Sequence, residues 1–196
     1  MSFRIEEKLF IDKNQIVDFK EFLNKSSAEP LFHPRQIKSL YFDNKNLEMF
    51  TDSIEGLTPR KKIRIRRYPN EKDSSLYFEI KNSSVEGRFK TRKIIDEKRQ
   101  EELIEKGYLD NQYGEVLPKL FVTYNREYFK IKDTRVSIDT NLTYQSIISG
   151  KSFKDFNTII EVKTSFTKDI DELTQMFPFQ KIRFSKYCLA AEKVLI

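Results

Sequence analysis

The sequence predicts an α+β fold, an eight-stranded antiparallel β-barrel with helices packed outside it. Three observations point there. Eight segments alternate apolar and polar residues with a period of two, five others repeat apolar residues at helical spacing, and the polar faces of the alternating segments are dense in positive charge.

Strands are expected near 3–11, 37–43, 60–68, 76–82, 88–95, 120–130, 134–142 and 158–164. In the first, Ile5, Leu9 and Ile11 share one face and Arg4, Glu6 and Lys8 the other. Helices fit 14–24, where Ile16, Phe19 and Leu23 form a stripe, then 44–54, with Leu47, Phe50 and Ile54, and 96–106, 169–177 and 184–195. Gly56 and Gly107 stand where helices commonly stop. The stretches 26–36 and 69–75 are short enough to be loops, so a single domain over 1–196 is expected.

Composition removes several classes of chemistry. Cys188 and His33 are each alone in their type, which leaves almost no material for a Cys/His zinc site or for clustered Cys-His or Ser-His catalysis. Cys188 is expected to fill space as a small apolar residue, and His33, beside Pro34, to be a loop bystander. The five glycines are scattered and form no phosphate-cradling loop, so any phosphate must be held by side chains. No window approaches a membrane span, and MSFRIEEKLF lacks the apolar run of a signal peptide; a cytoplasmic location is the expectation.

The stretch KKIRIRRY at 61–68 sets the central question, because Lys62, Arg64 and Arg66 fall on one face. Bases two apart on a strand sit about 6.8 Å from each other and repel by roughly 2 kcal/mol at an effective dielectric near 20. Five other strands repeat the pattern, and the combined face carries Arg4, Lys8, Lys62, Arg64, Arg66, Lys81, Arg88, Lys90, Arg92, Arg126 and Lys163 against Glu6, Glu79 and Glu161. A solvated outer face normally mixes both signs with Ser, Thr and Gln. A charged face turned into a barrel lumen and compensated by an anion explains the bias better. A phosphate chain suits it, since its oxygens accept from Arg forks and Lys ammonium groups at regular intervals. A divalent cation accompanying the phosphates would need one or two protein oxygens, for which Glu161, Glu6 and Glu79 are candidates; each could equally be a salt-bridge partner.

Several motifs in order along the chain resemble one family. They are R-x-E-x-K at Arg4, Glu6 and Lys8, SLYFD at 39–43, and R-x-K-x-R-x-R from Arg60 through Lys62 and Arg64 to Arg66. E-x-K follows at Glu79 and Lys81, K-x-R at Lys90 and Arg92, Y-x-R at Tyr124 and Arg126, the strand VSIDTNL around Asp139, E-x-K at Glu161 and Lys163, and SKY at Ser185–Tyr187. Together these resemble the VTC domain, the polyphosphate polymerase domain of the vacuolar transporter chaperone complex, within the triphosphate tunnel metalloenzyme superfamily. The resemblance implies a tunnel formed by the barrel, ATP as phosphate donor, inorganic phosphate or polyphosphate as acceptor, and Mn2+ or Mg2+ as cofactor. Carried over by motif, Lys8, Arg64, Arg66, Lys81, Lys90, Arg126 and Lys186 bind phosphate, Tyr124 helps to position it, and Glu161 holds the metal. Lys8, Arg64, Arg66, Arg126 and Lys186 are the catalytic candidates among them. Arg4, Lys62, Arg92, Lys163 and Ser185 complete the expected substrate contacts. The superfamily's wider signature is E-x-E-x-K, and Arg4 in its first position favours the polymerase branch over adenylate cyclases and thiamine triphosphatases.

Three other activities suit the same residues. Water as the attacking group would make the protein a triphosphatase, and a sensor could bind polyphosphate or nucleotide without chemistry. A nucleic-acid binder could stack bases on the abundant Phe and Tyr, but most Phe residues fall on apolar faces and are expected in the core, so no nucleic-acid partner is expected.

Overall fold

The computed structural model describes residues 4–11, 13–71, 74–165, 177 and 179–196, with only the backbone of Arg4, Ile5, Phe10, Lys13 and Ser165. The described residues form ten strands: β1 (Arg4–Ile11), β2 (Glu29–Asp43), β3 (Arg60–Arg67), β4 (Leu76–Ser84), β5 (Gly87–Ile95), β6 (Tyr108–Asp110), β7 (Gly114–Ile131), β8 (Thr134–Ser146), β9 (Ser152–Asp155) and β10 (Thr158–Ser165). Eight of them follow the order β1-β10-β8-β7-β2-β3-β4-β5 in one sheet, with β6 beside β7 and β9 beside β8. The described helices are α1 (Ile16–Lys25), preceded by a 3-10 turn, α2 (Glu48–Glu55), α3 (Glu97–Lys106) and α4 (Lys186–Val194). The α+β class and the eight-strand path are those the alternation predicts.

Internal contacts divide the chain into two compact units. The first comprises Met1–Arg35, Tyr124–Leu142 and Asp155–Phe184, the second Gln36–Thr123, Thr143–Lys154 and Ser185–Ile196. In the first unit, β1 pairs with β10 and β10 with β8, so that Lys8 faces Glu161, Glu6 faces Lys163, and Glu161 faces Ser137. The opposite faces of these strands carry Leu9, Ile11, Val136, Ile138, Ile160 and Val162, which form one buried cluster with Phe19 and Leu23 of α1 and with Phe177. The period of two thus separates a charged face from a core that the α1 stripe completes.

In the second unit, the registers place Tyr41, Arg64, Glu79 and Arg92 in one row across β2, β3, β4 and β5. Lys62, Lys81 and Lys90 form the next row. Leu40, Phe42, Ile63, Ile65 and Phe78 point the other way and are buried. Asp96 caps α3 by accepting from the Arg99 amide at 2.8 Å. At the other end Gly107 has φ +74°, and a Cβ there would lie 2.6 Å from the Val116 carbonyl oxygen, so the helix stops on the one residue that fits.

Some boundaries differ from expectation. The stretch 26–36 reads as a loop because of Pro30 and Pro34, yet β2 begins at Glu29 and takes in His33 as an exposed strand residue. The described register to β3 runs only from Lys38 to Phe42, which leaves the earlier part of β2 a side where a missing amide is tolerated. α2 starts at Glu48 and not at residue 44, because Asn44 and Asp43 use their side chains to accept from the amides of Glu48, Met49 and Phe50. The short β6 and β9 lack enough alternating positions to be read from sequence. The expected helix 169–177 lies outside the described residues save Phe177. Among the described residues, no helix is long and apolar enough to cross a membrane.

Candidate functional site

The charged face of the first unit is organised around Arg126 of β7. Its Nε and Nη2 donate to Asp139 Oδ1 and Oδ2 at 2.5 and 2.6 Å, and Nη2 also donates to Glu161 Oε2 at 3.0 Å. The guanidinium lies 5.3 Å from the ring centre of Tyr124. Burial alone would weaken its proton, but the adjacent Asp139, Tyr124 and Glu161 hold it above the ordinary arginine range. Lys163 Nζ joins the remaining carboxylates, 2.9 Å from Glu161 Oε1 and 3.6 Å from Glu6 Oε2. Lys8 Nζ donates to the Phe184 carbonyl at 2.6 Å. The side chain of Arg4 lies outside the described residues.

The second unit is built around one carboxylate, Glu79, which is 1% exposed. Arg64 approaches its Oε2 with Nε at 2.7 Å and Nη2 at 2.6 Å, Arg66 Nε lies 4.0 Å from the same oxygen, and Arg92 Nε 3.4 Å from Oε1, where Lys90 also binds. Burial would raise the carboxyl, yet Arg64 and Arg66 pull it down to about 2. Burial lowers Lys90 and Lys62 below the usual lysine range. In the row Lys62-Lys81-Lys90, cations stand directly opposite one another on adjacent strands, an arrangement that destabilises a sheet unless an anion relieves it.

Lys62 also ties this face to the last helix. Its Nζ donates to Ser185 Oγ at 2.7 Å, while the same oxygen caps α4 by accepting from the Cys188 amide at 3.3 Å. Ser185 and the first turn with Lys186 are therefore held at the basic strand. The next residue, Tyr187, stacks on Tyr41 at 5.1 Å and donates to Asp43, whose other oxygen accepts from Met49 at the start of α2.

Each unit therefore gathers its share of the expected residues, and each contains motif residues to which no role was assigned from sequence. Asp139 is fully buried and orients Arg126; Tyr41 Oη and Ser39 Oγ accept from Arg64 Nη1 at 2.8 Å and Arg66 Nε at 3.2 Å. Burial would raise the Tyr41 hydroxyl, but Arg64 and Arg66 bring it below its ordinary range. The available signal was the alternation itself, since Ser39 and Tyr41 occupy every second position of SLYFD and Ser137 and Asp139 do so in VSIDT.

For a divalent cation the carboxylates offer an unequal fit. Glu161 and Glu6 supply hard oxygen donors on one ammonium, the number that a small ion sharing phosphate oxygens requires. Glu79 is already surrounded by four cations and suits the part of counter-charge. Among the described residues, no group of three or more His, Cys, Asp or Glu assembles to hold a metal by itself.

The family model of the VTC domain matches residues 3–195. The chain belongs to the VTC domain family. Solved structures of similar fold include a Hippeastrum protein described as having a dominant triphosphatase activity, with a TM-score of 0.64, 12% identity, and coverage of 100% of this chain and 98% of that one. A proposed adenylate cyclase from Vibrio parahaemolyticus matches with a TM-score of 0.62 and 14% identity over 97% and 99% of the two chains. A Pyrococcus horikoshii protein does so at 0.60 and 18%, again over 97% and 99%. The comparison with curated proteins returned no significant match. The VTC domain described here thus has the triphosphate tunnel fold.

Proposed function

We propose that this VTC domain is a polyphosphate polymerase-like phosphotransferase, moving the γ-phosphate of ATP to inorganic phosphate or to the end of a growing polyphosphate. The observation that carries this is the face of the second unit, where Lys62, Arg64, Arg66, Lys81, Lys90 and Arg92 lie together and four of them, Arg64, Arg66, Lys90 and Arg92, surround the carboxylate of Glu79, in a chain whose residues 3–195 match the family. Such a face binds extended phosphate by charge-assisted hydrogen bonds and requires no protein nucleophile.

Transfer of this kind depends on alignment and on neutralising charge at the equatorial oxygens. Arg64 is fixed by Glu79 and Tyr41, so its guanidinium reaches phosphate at little ordering cost. Arg126 is fixed in the same way by Asp139. Glu161, with Glu6, is the donor set for manganese or magnesium, which when bound supplies further charge neutralisation on the phosphates. Lys186, Lys81 and Lys163 add positive charge, and Tyr124 holds the Arg126 plane from one side.

Incubation with ATP and manganese, followed by gel separation of polyphosphate from free phosphate, tests this directly. Polyphosphate that lengthens with time is the expected product. Free phosphate alone would assign water as the acceptor and make the domain a triphosphatase, the activity described for the Hippeastrum protein. No turnover with tight polyphosphate binding would make it a sensor. A cytoplasmic location is proposed with the ATP donor, which is abundant there.

A further inference from the structure

The basic face of the second unit is chemically polar along its length. From one end the rows hold Arg60, Ser83 and Arg88, then Lys62, Lys81 and Lys90, then Arg64, Glu79 and Arg92, and two residues further along each strand Arg66, Tyr77 and Ile94. The face thus changes from rows that are wholly polar and mostly basic to one in which Arg66 stands beside an aromatic and an apolar residue. The guanidinium carbon of Arg92 lies over the Tyr77 ring, 3.5 Å from its centre. Its edge is held by Glu79 at 3.4 Å and by Tyr68 Oη, which accepts from Nη2 at 3.4 Å, and the Tyr68 and Tyr77 rings meet edge to face at 5.9 Å. Three neighbours therefore fix the plane, yet 40% of the side chain stays exposed. Ile94, paired with Tyr77 in the register, is 71% exposed on the same face.

A held, half-exposed guanidinium backed by a tyrosine and flanked by an exposed isoleucine is more than phosphate binding requires. Phosphate is recognised by the edge of an arginine, whereas a flat heterocycle is recognised by its face. Building on the phosphotransfer reading, we propose that Arg92, with Tyr77, Tyr68 and Ile94, forms the platform for the nucleobase of the nucleoside triphosphate donor. The base stacks on the Arg92 plane and the phosphates extend past Glu79 towards the lysine row. This orients the donor, with its terminal phosphate farthest from the aromatic end. It also explains why a strand this exposed keeps an isoleucine at a position that could be polar.

Binding of ATP and of inorganic tripolyphosphate, each measured by metal-free calorimetric titration, separates the platform from the phosphate contacts. Arg92→Lys keeps the charge and loses the plane; Tyr77→Leu keeps apolar bulk and removes its backing; Ile94→Ser alters an exposed residue with no consequence for folding. The first two are expected to weaken ATP about tenfold, or ~1.4 kcal/mol, and the third about threefold; tripolyphosphate changes by less than about twofold in Tyr77→Leu and Ile94→Ser, and in Arg92→Lys it loses several-fold less than ATP does. Equal losses for both ligands would overturn the proposal, leaving Arg92 a phosphate contact. A parent protein that binds tripolyphosphate as tightly as ATP would overturn the platform and leave the phosphotransfer reading standing. A parent that binds neither would overturn both.

Discussion

Around Arg126 in one unit, Asp139 and Glu161 give two carboxylates to one guanidinium, and Glu6 and Glu161 together face Lys163. Around Glu79 in the other unit the proportion is inverted, with Arg64, Arg66, Lys90 and Arg92 drawn to one carboxylate. The first cluster is close to neutral and is a place where a cation could be shared between protein and phosphate oxygens. The second is short of negative charge and gains stability when an anion arrives. One strand pattern, a charge at every second residue, has been used to build two surfaces of opposite need, and what distinguishes them is how many acids face each base.

That contrast can be broken most strongly at Asp139. Asp139→Ala leaves Arg126 buried with Glu161 as its carboxylate partner among the described residues, and removing one partner of a buried pair is expected to cost about 3–5 kcal/mol in urea-induced unfolding. A loss below about 1 kcal/mol would show that Glu161 suffices to hold the guanidinium.

The second cluster should announce itself through pH. The Glu79 carboxyl is depressed from 4.5 to about 2, a shift worth about 3 kcal/mol in favour of the folded state above pH 5. Because the folded value is the lower one, this contribution is complete above 4.5 and disappears as pH falls towards 2. Unfolding free energies measured from pH 6 to 2 should therefore decline, and Glu79→Gln should flatten part of that decline. An identical slope in the variant would mean that the four bases lose nothing when Glu79 is neutral.

Function tests the same comparison at Glu161. Glu161→Gln keeps the shape but removes charge from the balanced cluster, and manganese-dependent turnover should fall at least about 100-fold, ~2.7 kcal/mol in the transition state. Metal-free tripolyphosphate binding should persist or tighten, because the variant is more positive. Unchanged turnover would remove Glu161 from the metal site.

The smallest expected effect lies at the start of α4. Ser185 is anchored to Lys62, and Lys186 follows it in a first turn where a cation opposes the helix dipole unless an anion is near. Lys186→Ala should lower polyphosphate synthesis about tenfold, ~1.4 kcal/mol, with folding stability within about 0.5 kcal/mol of the parent. Synthesis at the parent rate would place Lys186 on a solvated helix end.

By itself the sequence determined which residues share a face. The period of two is local, set by the pleat, and so Lys62, Arg64 and Arg66 or Glu161 and Lys163 could be assigned to one side of a strand before any partner was known. Helix periodicity likewise located α1 and α3 to within two residues, and Gly107 marked a stop. Register was beyond its reach, because hydrogen bonding between strands depends on neighbours far apart in the chain. Tertiary structure alone decided that Glu79 stands between Arg64 and Arg92, that three lysines oppose one another, and that Asp139 is spent on Arg126. It decided too that Asp43 caps α2 while accepting from Tyr187, a contact spanning most of the chain, since a buried carboxylate must find its donors wherever folding delivers them.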